Sequence, residues 1–129
     1  MLETFLGIDY GTKRVGVAVG NSETKLATPL VVLENSGLDK LTEDIVRLAT
    51  VKQAKKIILG ESKNFQMQDN QIMSAARQLA QKLSDFKIEI IWEPEMLTSH
   101  QAQHLQGKNA LLDASAAAII LQSYLDKII

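Results

Sequence analysis

The sequence predicts an α/β domain built on a mixed sheet. Three observations point there. The chain opens with three short apolar runs separated by turn residues. Two stretches of helical period then alternate with continuous apolar runs, and an alanine-rich helix closes the sequence. Its 129 residues suit one domain and can bury a core without staples, but are too few for two nucleotide-binding lobes around a cleft.

Phe5 to Asp9 and Val15 to Val19 read as two strands of a hairpin, joined by the turn-forming Tyr10-Gly11-Thr12-Lys13-Arg14. Ala27 to Leu33 gives a third strand, with Pro29 placing it near an edge or a bulge. Asn35-Ser36-Gly37 is a turn and helix start. Leu38, Leu41, Ile45, Leu48 and Val51 then recur at helical spacing. Lys56 to Gly60 is a continuous apolar run suited to a buried parallel strand. A polar loop, Glu61 to Gln68, leads to a second helix with Ile72, Ala76, Leu79 and Leu83 on one face. Lys87 to Trp92 is the next strand, followed by Glu93-Pro94-Glu95. Thr98 or Ser99 caps a short helix to about Leu105, and Asp113 opens the last helix, with Ala117, Ile120, Leu121 and Tyr124 toward the core. An antiparallel meander followed by strands parallel to the first is the layout of a ribonuclease-H-like domain.

Composition narrows the function classes. There are no cysteines, which removes disulfides, thiolate nucleophiles and cysteine-based zinc sites. No apolar run approaches the roughly 20 residues of a membrane span. The start, Met1 to Phe5, lacks the basic stretch and apolar run of a secretory signal, so a cytoplasmic protein without a membrane partner is expected. Fourteen Lys and Arg against fifteen Asp and Glu give a net charge of −1, so nucleic-acid affinity must come from a local basic patch or a bound cation. Aromatics, at 5%, are too scattered for a stacking surface.

The carboxylates carry the chemistry. Asp9 ends the first strand, where it serves either as a turn residue or as a metal ligand held on a rigid element. Glu93 and Glu95 follow a strand, as solvated loop charge or as ligands. Asp113 is either an ordinary N-cap or a third ligand. Strand one, the strand ending at Trp92 and the last helix bring these acids toward one sheet edge. Clustered like charges repel, and Mg²⁺ with its preference for oxygen relieves the repulsion. Two such ions roughly 4 Å apart activate a water and stabilise the leaving oxygen of a phosphodiester. Lys13 and Arg14 read as an exposed hairpin tip or as phosphate contacts. Lys52, Lys55 and Lys56 read as a solvated helix end. His100 and His104 share a helix face, but no third ligand accompanies them, so a polar face is preferred over zinc.

The run Leu6-Gly7-Ile8-Asp9-Tyr10-Gly11-Thr12-Lys13-Arg14-Val15-Gly16-Val17-Ala18 resembles the opening of the YqgF-like proteins, and Asp113 to Leu125 resembles their closing helix. The resemblance covers essentially the whole chain. It implies a ribonuclease-H-like fold and Mg²⁺- or Mn²⁺-dependent cleavage of structured nucleic acid, linked to maturation of the 5′ end of 16S rRNA or to Holliday junctions. Asp9 and Asp113 fall on the family's first and last acidic positions. The middle acid is Glu95 when Leu97-Thr98-Ser99 is aligned and Glu93 when Trp92 is aligned. Glu95 is preferred, because the second alignment sets Pro94, which cannot ligate a metal, on the family's glutamate.

Catalytic and metal roles are therefore expected for Asp9, Glu95 and Asp113, with Lys13, Arg14 and Lys63 on phosphates. Met96 replaces the family's usual arginine, and Gly107 to Leu112 offers one lysine where a basic stretch is usual. The expected partners are pre-rRNA or branched DNA, together with ribosomal particles; a homodimer is left open. Two other readings compete: a non-catalytic binding module of the same fold, and a phosphate-binding unit of the sugar-kinase or actin kind, suggested by the Asp9-x-Gly11-Thr12 loop.

Overall fold

The computed structural model describes residues 2–61, 67–94 and 110–128. They form β1 (Thr4–Asp9), β2 (Arg14–Asn21), β3 (Ala27–Glu34), α1 (Leu38–Lys52), β4 (Ala54–Glu61), α2 (Met67–Ser84), β5 (Glu89–Pro94) and α3 (Ala110–Lys127). The strands make one sheet in the order β3-β2-β1-β4-β5. β1 pairs antiparallel with β2, β2 antiparallel with β3, and β4 runs parallel to both β1 and β5. This is the expected meander followed by parallel strands.

β1 is central and covered on both faces, which explains its unbroken apolar run. Its side chains alternate between two cores. Leu6 and Ile8 join Leu41, Ile45, Leu79 and Leu83 under α1 and α2. Phe5 joins Ala117, Ile120, Leu121 and Leu125 under α3. β3 is an edge strand, and the register slips between Val17 and Ala18 opposite Pro29, so the proline sits both at an edge and at a bulge. A left-handed Gln53, with φ 60°, closes α1.

Several expectations are corrected. Val51 is 69% exposed instead of facing the core. It lies about 120° around α1 from Ile45, outside the buried line of Leu41, Ile45 and Ala49. Lys52 does end α1, but Lys55 and Lys56 belong to β4, and Lys56 pairs with Glu3 at 3.1 Å. Lys87 lies in the turn before β5 with φ 65°, not in the strand. α3 begins three residues earlier than expected, at Ala110, because Ala110-Leu111-Leu112 are strong helix formers. Asp113 therefore lies in the first turn of α3 and is not its N-cap. Glu93 is in β5, not beyond it, because the parallel ladder continues through Gly60 with Glu93 and Glu61 with Pro94. Lys63, Glu95, Met96, the helix expected from Thr98 to Leu105 with His100 and His104, and the side chains of Ile72 and Asp113 lie outside the described residues.

Candidate functional site

The site is built where β1 ends. Asp9, half-buried, is the last residue of the central strand and pairs with Gly16 of β2. By alternation it shares a sheet face with Phe5 and Gly7, the face covered by α3. α3 runs antiparallel to β1 along this face. Tyr124 meets Phe5 edge-on, with ring centroids 5.7 Å apart, and further up the strand Gly7 meets Leu121 and Ala117. A Cβ on Gly7 would lie 2.7 Å from the Leu121 Cβ and 2.9 Å from the Ala117 carbonyl oxygen. Only glycine lets the helix backbone come this close.

This contact fixes α3 on β1. Asp113, Ala117 and Leu121 are spaced four apart along the helix. Asp113 lies one turn before Ala117 in α3, and Asp9 lies two residues beyond Gly7 in β1.

Beside Asp9 the chain turns into β2, and this turn is clamped by Asn35, the residue after β3. Asn35 donates from Nδ2 to the Gly11 carbonyl at 2.8 Å and to the Tyr10 hydroxyl at 3.1 Å. The Asn35 amide donates to the Lys13 carbonyl at 3.0 Å. Thr12, Lys13, Arg14, Glu34, Asn35 and Ser36 line an open hollow of about 540 Å³. Lys13 and Arg14 are exposed there, beside Glu34.

Glu93 behaves differently. It is 3% exposed, and its Oε2 accepts a hydrogen bond from the Ser123 hydroxyl at 2.7 Å and one from the Lys127 ammonium at 2.6 Å. Ser123 lies ten residues beyond Asp113, about 15 Å along α3. The Glu93 carboxylate is thus committed to the far half of the helix that carries Asp113. Sequence reasoning missed this lock and the Asn35 clamp. The available signals were an asparagine in a turn and a lysine in a last helical turn, and both also have ordinary local readings.

Among the described residues no three His, Cys, Asp or Glu side chains come together as a metal-binding group. Nor, among them, is any helix long and apolar enough to cross a membrane. If Asp9 and Asp113 held a cation, their hard carboxylate oxygens would suit Mg²⁺ or Mn²⁺ better than thiophilic metals.

Comparison with known proteins agrees with the sequence motifs. A family profile described as "RuvX: Holliday junction resolvase" matches residues 3–127. Proteins named "Putative pre-16S rRNA nuclease" from Paraburkholderia xenovorans and Bordetella pertussis are each 34% identical to this chain. The matches cover 95% and 96% of this chain and 88% and 94% of those proteins. T. thermophilus RuvC, solved in complex with a Holliday junction substrate, superposes with a TM-score of 0.67 at 15% identity, covering 95% of this chain and 93% of that one. The fowlpox virus resolvase, solved with Holliday junction DNA, superposes with a TM-score of 0.59 at 11% identity, covering 98% and 99%. These structural likenesses establish the ribonuclease-H-like fold. The profile match over nearly the whole chain and the identity to its relatives place this protein in the RuvX family, the YqgF-like family its motifs resemble.

Proposed function

We propose that the chain is a metal-dependent endonuclease of structured nucleic acid, acting in the cytoplasm on the 5′ end of pre-16S rRNA within ribosomal particles. One observation carries the reading: α3, whose first turn includes Asp113, packs directly on Gly7 of the central strand that ends in Asp9. The 34% identity to proteins named for pre-16S rRNA cleavage supports the substrate. Asp9, Glu95 and Asp113 are the residues assigned to hold Mg²⁺ or Mn²⁺. The bound ion supplies charge stabilisation and an activated water at the phosphodiester. The carboxylates' part is to stay ionised on rigid elements. Lys13 and Arg14, from the clamped turn, and Lys63 hold the phosphates on either side and set the strand's register.

A second reading has its own support. The family description and the junction-bound neighbours favour branched DNA as the substrate. The two are separated by assaying cleavage of a pre-rRNA 5′-end substrate and of a four-way DNA junction in parallel, with and without Mg²⁺ or Mn²⁺. Metal-dependent cutting of the RNA and not the junction is the expected result. Cutting of the junction alone moves the substrate to branched DNA. Cutting of neither, by folded protein, leaves the chain a binding module.

A further inference from the structure

Glu93 is a buried carboxylate that the proposed reaction does not use. A charge removed from water must be matched by a partner of opposite sign and by hydrogen bonds. Here both come from α3: the Lys127 ammonium at 2.6 Å and the Ser123 hydroxyl at 2.7 Å, meeting on the same oxygen. Below them Ile91 packs into the apolar cluster under α3, so β5 and α3 are joined by an apolar contact and a polar lock at successive outward positions of one strand. Pro94 follows at once, and its ring fixes φ where the chain leaves the sheet. The next residue is Glu95. The two locked elements are thus the strand that leads into one proposed acid and the helix that carries another.

From this geometry we infer that Glu93 is a positioning residue whose bond to Ser123 and Lys127 fixes the end of β5 against α3, the helix that carries Asp113. The inference rests on the proposed nuclease reading for what is being positioned. It also divides the labour between the two glutamates around Pro94: Glu93 holds protein and Glu95 holds the cation. The lock stands beside the end of β1: the ladders pair Ile8 with Leu59, Leu59 with Trp92 and Gly60 with Glu93, which sets Glu93 level with Asp9 two strands away. An ammonium has no acceptor atom and cannot ligate a cation, so the loss of Lys127 reports on positioning and not on metal ligation.

The test substitutes the lysine as well as the glutamate. Lys127 is 59% exposed, so Lys127→Met leaves no cavity. Lys127→Met and Glu93→Gln are each expected to lower kcat about tenfold, the usual effect of losing a group that orients metal ligands. KM for the nucleic acid should be unchanged, and Mn²⁺ binding to the metal-free protein, read by calorimetry, should weaken by a similar factor. The double variant should be no worse than either single one, and Lys127→Arg should restore the wild-type values. Loss of Mn²⁺ binding in Glu93→Gln, with Lys127→Met behaving as wild type, would make Glu93 a direct ligand and overturn the inference. Wild-type kinetics and Mn²⁺ affinity in both folded variants would overturn it equally. If the wild type neither cleaves nor binds Mn²⁺, the nuclease reading falls, and the lock is decided by hydrogen exchange. Lys127→Met should then lose amide protection at Ile91 to Glu93 and around Ser123, whereas unchanged protection rejects the lock.

Discussion

Asn35 and Gly11 are joined by a 2.8 Å hydrogen bond across the turn that follows Asp9. The bond holds the backbone carrying Thr12 and Lys13 against the start of the chain segment leading to α1. Removing the asparagine side chain leaves the Gly11 carbonyl and the Tyr10 hydroxyl without this donor. Asn35→Ala should destabilise the fold by about 1 to 2 kcal/mol. It should also weaken nucleic-acid binding several-fold more than a stability loss of that size explains at temperatures where the variant is fully folded. Thermal melts and a binding titration on the same sample check both.

Gly7 has no room for a side chain. Gly7→Ala must push α3 outward from β1, because the new methyl would meet the Leu121 Cβ and the Ala117 carbonyl oxygen well inside contact distance. Overpacking of this kind costs about 1 to 3 kcal/mol. Cleavage should fall further than stability, since the displaced helix carries Asp113. Chemical denaturation and a cleavage assay at a temperature below the melt separate the two effects.

Asp9→Asn keeps shape and hydrogen-bonding capacity while removing the negative charge. Cleavage should be abolished and the fold retained. Without metal, the variant should melt at or slightly above the wild-type temperature, because repulsion among the acids is reduced. Circular dichroism and an assay in Mn²⁺ suffice, and a fully active variant would exclude metal catalysis at this site.

Binding should depend weakly on salt. Lys13, Arg14 and Lys63 are few phosphate contacts on a chain of net charge −1. Each neutralised phosphate contributes about 0.9 to the slope of log affinity against log salt on duplex DNA, so a slope on the order of 2 to 3 in magnitude is expected. The double substitution Lys13→Ala with Arg14→Ala should flatten it and weaken all sequences alike. A steep slope that survives the substitution would place the binding surface elsewhere.

Asp44 gives a pH signature unrelated to the site. The hydrogen bond from the Lys40 ammonium, helped by Arg47, holds its carboxyl below the ordinary aspartate value of 3.8 despite the opposing effect of burial. A lowered folded-state pKa stabilises the protein above the unfolded value, and that contribution is lost as pH falls through the folded value. The melting-temperature gap between wild type and Asp44→Asn should therefore be widest near neutrality and shrink toward zero below pH 3.8.

The meander, the strands parallel to the first and the position of Asp9 at a strand end were legible because period-two alternation and a central apolar run each have few structural solutions. Pro29 announced an edge and a bulge for the same reason: a residue with no amide hydrogen has few places in a sheet. The start of α3 was not legible. Asp is a strong N-cap signal, and it masked the helix propensity of Ala110-Leu111-Leu112, which winds the helix back to Ala110. Glu93 was harder still. Its partners lie 30 and 34 residues away, and no local pattern distinguishes a solvated glutamate after a strand from one buried under a helix. The clamp at Asn35 crosses 24 residues and was hidden for the same reason, since asparagine already has a local role in turns.

The bulge at Pro29 matters to more than register. A five-stranded open sheet has two borders where unpaired amides and carbonyls can recruit a strand from another molecule, the first step of sheet-to-sheet polymerisation. On the β3 border, the proline withholds one donor and the slipped register bends the ladder, so a foreign strand finds an interrupted template. β3 is also the strand whose residues are all at least partly exposed, which makes it the border most in need of such protection. A residue that serves neither the core nor the acids thus makes the β3 border a poorer template for a foreign strand.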